Sequence, residues 1–145
     1  MVYYVETSAL AKLTWQEVHA IAMREWWAVN HRQAVSSLLT KTELVRAARR
    51  LGDKEEVRAN QSLEAITLVG LGINDYLQAA VLDPRELRSL DALHFAVALA
   101  LRPDLDGLVT YDKRLAQAAA QAGIPVVTPG QEATADTDSG DQSED

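Results

Sequence analysis

The amino-acid sequence predicts an α/β fold built on a parallel β-sheet, and three observations carry that prediction. The N-terminal stretch VYYVETSAL passes from residues that favour a pleated backbone into helix formers, with only Thr7 and Ser8, a capping pair, at the junction. Strand-like runs then alternate with helical patterns along the chain, the order that calls for a parallel sheet with right-handed crossovers. The first strand is almost continuously apolar, which fits a strand covered on both faces.

In chain order, the first strand closes on Glu6, at the carboxyl end where ligands collect in open α/β sheets. A core-facing helix is expected over 16–29, with Val18, Ile21, Ala22, Trp26 and Val29 at helical spacing and its tryptophans serving as packing residues. Residues 33–39 read as a second strand, and 40–51 as a helix opened by the capping box Thr40-Lys41-Thr42-Glu43 and stopped by Gly52. A further helix over 55–67 leads into a glycine-interrupted peripheral strand, LVGLGIN, and a short helix over 74–82. Beyond Asp83-Pro84, Ser89 is the expected N-cap of a buried helix with Leu90, Leu93, Val97 and Leu101 on its apolar face. A fourth strand over 105–111 ends in Asp112, a helix follows to Gly123, and a last strand spans 125–128.

At 145 residues and 48% apolar composition, the chain is sized for one core. Without cysteine it has neither disulfides nor thiolate metal ligands, which suits a cytoplasmic setting, and no apolar run reaches the ~20 residues of a membrane span. The net charge of −7 is unevenly spread. Residues 131–145 hold six acids and no base, the composition of a disordered tail, and setting them aside leaves 15 acids against 14 bases, a net of −1, over 1–130. Charge therefore does not exclude an RNA substrate, and the tail reads either as a solvating appendage or as a nucleic-acid mimic covering a basic groove.

Four acids stand out by position. Glu6 and Asp112 close strands, while Glu43 and Asp91 lie in the first turns of helices, so all four can meet at one sheet edge. Converging carboxylates raise one another's pKa unless a cation lies between them, and hard oxygen ligands suit Mg²⁺ or Mn²⁺. The chemistry implied is metal-assisted phosphodiester cleavage. Glu43 has a competing role in its capping box, Asp112 as an N-cap and Asp91 as a first-turn acid, whereas Glu is a poor N-cap and Glu6 has no such role. His94, one turn beyond Asp91, reads as a core histidine or as a donor to the site. Thr7, Ser8 and Thr110 neighbour the acids and could hold water or phosphate, with helix capping an equal explanation for Thr7 and Ser8. Arg46 lies along one helix face from Glu43, to bind substrate or pair with Glu43, and Lys113 and Arg114 follow Asp112. A phospho-accepting receiver domain fits poorly, since no acidic pair adjoins the first strand and no lysine follows Lys113.

The blocks YVETSALAKL, SSLLTKTELVRA, LRSLDALHFAVAL and LVTYDKRLAQAAAQAGIPVVTPG resemble, in order and spacing, the PIN domain, in particular the VapC-type ribonuclease toxins of bacterial toxin–antitoxin modules. The resemblance covers residues 1–130. It implies a Rossmann-like α/β/α sandwich and divalent-metal-dependent endoribonuclease activity. Its four acids fall on Glu6, Glu43, Asp91 and Asp112, with Glu6, Asp91 and Asp112 holding Mg²⁺ or Mn²⁺. It further implies a homodimer neutralised by a VapB-type antitoxin, for which apolar surface near Trp26 or Trp27 is expected to stay uncovered. One departure is that this family's first acid is usually Asp. The extra methylene of Glu6 moves its oxygens by about a bond length, which leaves open a domain weakened in catalysis that only binds RNA or antitoxin.

Overall fold

A computed structural model describes residues 1–15 and 17–131. The chain begins with β1 (Val2–Val5), α1 (Thr7–Thr14) and α2 (Ala20–Asn30). It continues through β2 (Ala34–Ser37), α3 (Leu38–Leu51), α4 (Asp53–Glu64) and β3 (Thr67–Val69). After α5 (Ile73–Ala79) and α6 (Ser89–Ala100) come β4 (Leu105–Val109), α7 (Lys113–Gln121) and β5 (Val126–Val127). The five strands form one sheet of order β3-β2-β1-β4-β5, and every pairing is parallel. The predicted α/β class is the observed one, with the expected peripheral strand at an edge, although it ends at Val69, before the glycines expected to interrupt it.

Alternation along β1 divides the core. Val5 packs with Leu10, Met23, Leu44, Ala48 and Leu63 under α1 to α4, while Tyr4 packs with Phe95, Leu108, Leu115 and Ala119 under α6 and α7. The result is an α/β/α sandwich. In the centre of the sheet Tyr4 pairs with Val35 of β2 on one side and with Leu108 of β4 on the other. Gly107 lets β5 approach β4: a Cβ there would lie 3.2 Å from the Pro125 carbonyl oxygen.

Several boundaries differ from the sequence expectation. The second helix starts at Ala20 rather than 16, after His19 turns the chain with φ 68°, and of the start expected there residue 16 lies outside the described residues. That start places Ala20 and Met23 inward and leaves Val18, Ile21 and Val29 exposed, contrary to the expected core face. Trp26 and Trp27 are half-buried packing residues, Trp26 meeting Tyr3 edge to face at 5.1 Å. The second strand ends at Ser37, whose side chain accepts from the Thr40 backbone N–H, so α3 begins three residues earlier than the capping box proposed. Thr40 is therefore not a cap. Its Oγ1, buried near the Tyr4 hydroxyl, has no hydrogen-bond partner among the described residues. Arg88 rather than Ser89 holds the N-cap position of α6, and Leu90 is exposed while Ala92, His94 and Phe95 are buried.

Gln131, expected to open the acidic tail, still belongs to the fold: its backbone N–H donates to Thr128 O, and its side chain is hydrogen-bonded to His19. The rest of that tail, 132–145, lies outside the described residues. Among the described residues no helix is long and apolar enough to cross a membrane.

Candidate active site

Because all strands run parallel, their carboxyl ends share one edge. The starts of α1, α3 and α7 follow directly on β1, β2 and nearly on β4, and α6, which leads into β4, begins at that same edge. The four acids come from these junctions.

Glu6 is 5% exposed and holds the N-cap position of α1, the structural role that sequence reasoning denied it. Its Oε2 accepts from the Ser8 backbone N–H at 3.0 Å, and its Oε1 from the Ser8 hydroxyl at 2.6 Å and the Thr110 hydroxyl at 2.7 Å. The same hydroxyls hold the next loop in place. Ser8 Oγ accepts from Tyr111 N–H and Thr110 Oγ1 from Asp112 N–H, which ties the end of β4 to the start of α1. Ser8 and Thr110 are thus gathered around Glu6 as local ligands of the carboxylate.

Glu43 lies in the second turn of α3, not the first, and its capping role disappears with the earlier helix start. What holds it comes from elsewhere in the chain. Its Oε1 accepts from the Thr7 hydroxyl at 2.9 Å and from His94 Nε2 at 2.5 Å. Burial pushes the Glu43 carboxyl upward, but its contacts with His94 and with the Thr7 hydroxyl outweigh that and hold the group below the usual carboxylate range. Arg46 makes no ion pair with Glu43; among the described residues the partner is His94, and Arg46 lines a separate hollow with Arg49 and Arg50.

Asp112 caps α7, its Oδ1 accepting from Leu115 N–H at 2.9 Å. Asp91, in the first turn of α6, accepts no hydrogen bond among the described residues. The two acids line a cleft of about 240 Å³ together with Arg88, Lys113 and Arg114. Burial raises the Asp91 carboxyl above its ordinary range; the charges of Asp112, Glu6 and Glu43 raise it further, against the pull of His94. Asp91 is therefore the point at which the four-acid field is felt most directly.

The donor chemistry fits a hard divalent cation: carboxylate oxygens only, with Asp91 and one oxygen each of Glu43 and Asp112 accepting no hydrogen bond among the described residues. Their spacing is looser than a finished ligand set, since no three His, Asp or Glu side chains among the described residues form a metal-holding group. Thr7, one of the three hydroxyls expected beside the acids, donates to Glu43. The side chains that sequence reasoning overlooked are Tyr4 and Ser37, and nothing local marks either.

Fold and site together define a doubly wound α/β domain with four acids at one edge of its sheet. The family model that fits it is that of the PIN domain, matching residues 3–121, and the chain belongs to that family, in its VapC branch. It is 34% identical over 131 residues to Ribonuclease VapC47 of Mycobacterium tuberculosis (strain CDC 1551 / Oshkosh), covering 88% of this chain and 96% of the relative. To Ribonuclease VapC35 of the same strain it is 37% identical over 134 residues, covering 88% and 97%. Among solved structures, the Mycobacterium tuberculosis toxin VapC20, described as cleaving the Sarcin-Ricin loop, superposes with a TM-score of 0.71 at 21% identity over 88% of this chain and 99% of that one, a likeness of fold alone. A toxin–antitoxin complex from Klebsiella pneumoniae gives 0.64 at 25% identity over 89% and 98%.

Proposed function

We propose that this chain is a divalent-metal-dependent endoribonuclease toxin of the cytoplasm, neutralised by a VapB-type antitoxin. The observation that carries the reading is the placement of four acids at one sheet edge, with Asp91 and Asp112 lining one cleft and the Asp91 carboxyl raised first by burial and then by the charges of Asp112, Glu6 and Glu43. Repulsion of that kind is tolerated in a fold when a bound cation relieves it. Glu6, Asp91 and Asp112 would hold Mg²⁺ or Mn²⁺. The ion would supply charge neutralisation at the scissile phosphate and a more acidic water.

The chain's own residues do the rest. Ser8 and Thr110 fix the Glu6 carboxylate and the loop that carries Asp112. Arg88, Lys113 and Arg114, beside the acids in the cleft, would take the RNA backbone, and Arg46, in the separate hollow it shares with Arg49 and Arg50, would contact a more distant phosphate. The relatives named as ribonucleases support the substrate class.

Two exposed apolar faces suit protein partners. Ile21 and Val29 on the outside of α2, with Val18 just before it, are exposed, the start of α2 adjoins the site through the stacking of His19 on Tyr111 at 5.9 Å, and this face is assigned to the antitoxin. Ile73, Tyr76, Leu77 and Val81 along and just past α5 are assigned to a homodimer. Incubation of the purified protein with cellular RNA, with and without Mn²⁺ and with Asp91→Asn as control, tests the central claim. Cleavage that survives chelation, or that Asp91→Asn leaves intact, would refute it.

A further inference from the structure

His94 is 1% exposed at the centre of the molecule, and a buried histidine on an apolar helix is ordinarily satisfied by one bond to its surroundings. Here both ring nitrogens are engaged by side chains. Nε2 lies 2.5 Å from Glu43 Oε1, and Nδ1 lies 2.7 Å from the Tyr4 hydroxyl. The Tyr4 hydroxyl is in turn 2.8 Å from Ser37 Oγ, and Ser37 Oγ accepts from Thr40 N–H. The chain of contacts leaves the first turn of α3, crosses β1, passes through α6 and returns to α3 one turn further on.

The chemistry of these groups gives the chain a direction. A carboxylate only accepts, so the proton on the Glu43 side resides on Nε2. Burial pushes the Tyr4 phenol far above its ordinary range, with the nearby Glu6 and Glu43 charges adding to that and the Ser37 and Thr40 side chains opposing it, so it remains a hydroxyl. A phenol has one proton to give. In the tautomer whose proton is on Nε2, Nδ1 is an acceptor and takes the phenol's bond, which leaves the Tyr4 oxygen to accept from Ser37. Glu43 Oε1 thereby holds two donors, Thr7 and His94, while Oε2 accepts none among the described residues.

We propose that His94 is the positioning residue of Glu43, locked in one ring orientation and one tautomer by Tyr4 and Ser37, so that a single carboxylate oxygen of Glu43 is presented to the reaction. The assignment rests on the ribonuclease reading for its kinetic consequence, but not for its structural one. Orienting partners of this kind govern activity by about 10- to 100-fold when removed.

The test has two arms. In ¹⁵N-histidine-labelled wild-type protein, the His94 signals, identified by their loss in His94→Gln, are expected to show a protonated Nε2 and a bare Nδ1. Tyr4→Phe, which removes a hydroxyl and little volume, is expected to mix the tautomers. This arm needs neither metal nor RNA and stands if the ribonuclease reading fails. A bare Nε2, or a tautomer indifferent to Tyr4→Phe, overturns the proposal.

The second arm compares kcat and KM on an RNA oligonucleotide among variants shown by circular dichroism to be folded. His94→Asn, whose amide can reach toward Tyr4 but not Glu43, is expected to lower kcat by about 10- to 100-fold with little change in KM. His94→Gln, which can place a donor near the Nε2 position, is expected to recover most of that loss. Adding His94→Asn to Glu43→Gln is expected to cost nothing further, because the histidine acts through the glutamate. Wild-type kcat in His94→Asn, or losses that multiply in the double variant, overturns the proposal. Absence of RNA cleavage by the wild type condemns the ribonuclease reading instead and leaves the labelling arm to decide this one.

Discussion

At the scale of single residues, the site is a balance between charge repulsion and function, and Asp91 shows it most openly. Its folded-state pKa is raised by burial and then by the neighbouring acids, so the carboxylate favours the folded state only while protonated, and that contribution is lost as pH rises through the folded value. At neutral pH the ionised group therefore costs stability. Asp91→Asn is expected to leave the metal-free fold equal or more stable by about 0.5 kcal/mol, small because the side chain is only half buried, while abolishing RNA cleavage. Urea denaturation checks the first half, and it should also show Mn²⁺ stabilising the wild type more than the variant. Glu6 makes the opposite point. It caps α1 and accepts from Ser8 and Thr110, and Asp is the better N-cap. Glu6→Asp is thus expected to keep the fold and to equal or exceed wild-type cleavage. A clear fall in kcat would show that these hydroxyls have adapted to the longer side chain.

At the scale of elements, the start of α3 decides how Glu43 is held. Ser37 rather than Thr40 caps this helix, and Ser37 also supports the Tyr4 hydroxyl. Ser37→Ala is expected to cost about 1 kcal/mol from the cap alone. Thr40→Val should behave differently, because Thr40 Oγ1 is buried without a hydrogen bond, so its removal is expected to be neutral or stabilising by up to about 1 kcal/mol. Chemical denaturation of the two variants side by side separates this helix start from the one a T-x-x-E pattern suggests. Equal losses in both would restore Thr40 as the cap.

For the whole molecule, the exposed apolar faces set what the chain does with others. Ile73, Leu77 and Val81 recur at helical spacing with Tyr76 beside them, and Ile73 and Val81 are each 79% exposed. An apolar stripe of this kind on an otherwise charged chain is a place for a partner. Leu77→Glu is expected to weaken self-association at least 10-fold in sedimentation, with circular dichroism unchanged because the residue contributes little to the core. A wild type that sediments as a monomer at all concentrations would remove the homodimer from the proposal.

Local signals carried much of this protein into view. The strand-to-helix junctions, the glycine stop at Gly123 with φ 80°, the parallel alternation and the positions of the acids at element ends depend on neighbours a few residues apart, and they could be read from the sequence. Cap competition could not, since Ser37 and Thr40 are both competent and the choice falls where β2 ends, at Ser37 paired with Val69 of β3. The same holds for the faces of α2 and α6, because a start shifted by a few residues rotates an apolar stripe by 100° per residue. The partner of Glu43 lay further out of reach: His94 is 51 positions away, and Tyr4 is 90 from His94. Sequence determined which acids stand at the sheet edge, through short-range backbone preference. Tertiary structure alone decided how Thr110 reaches Glu6 and how Thr7 and His94 reach one oxygen of Glu43, because those bonds join elements that only packing brings together.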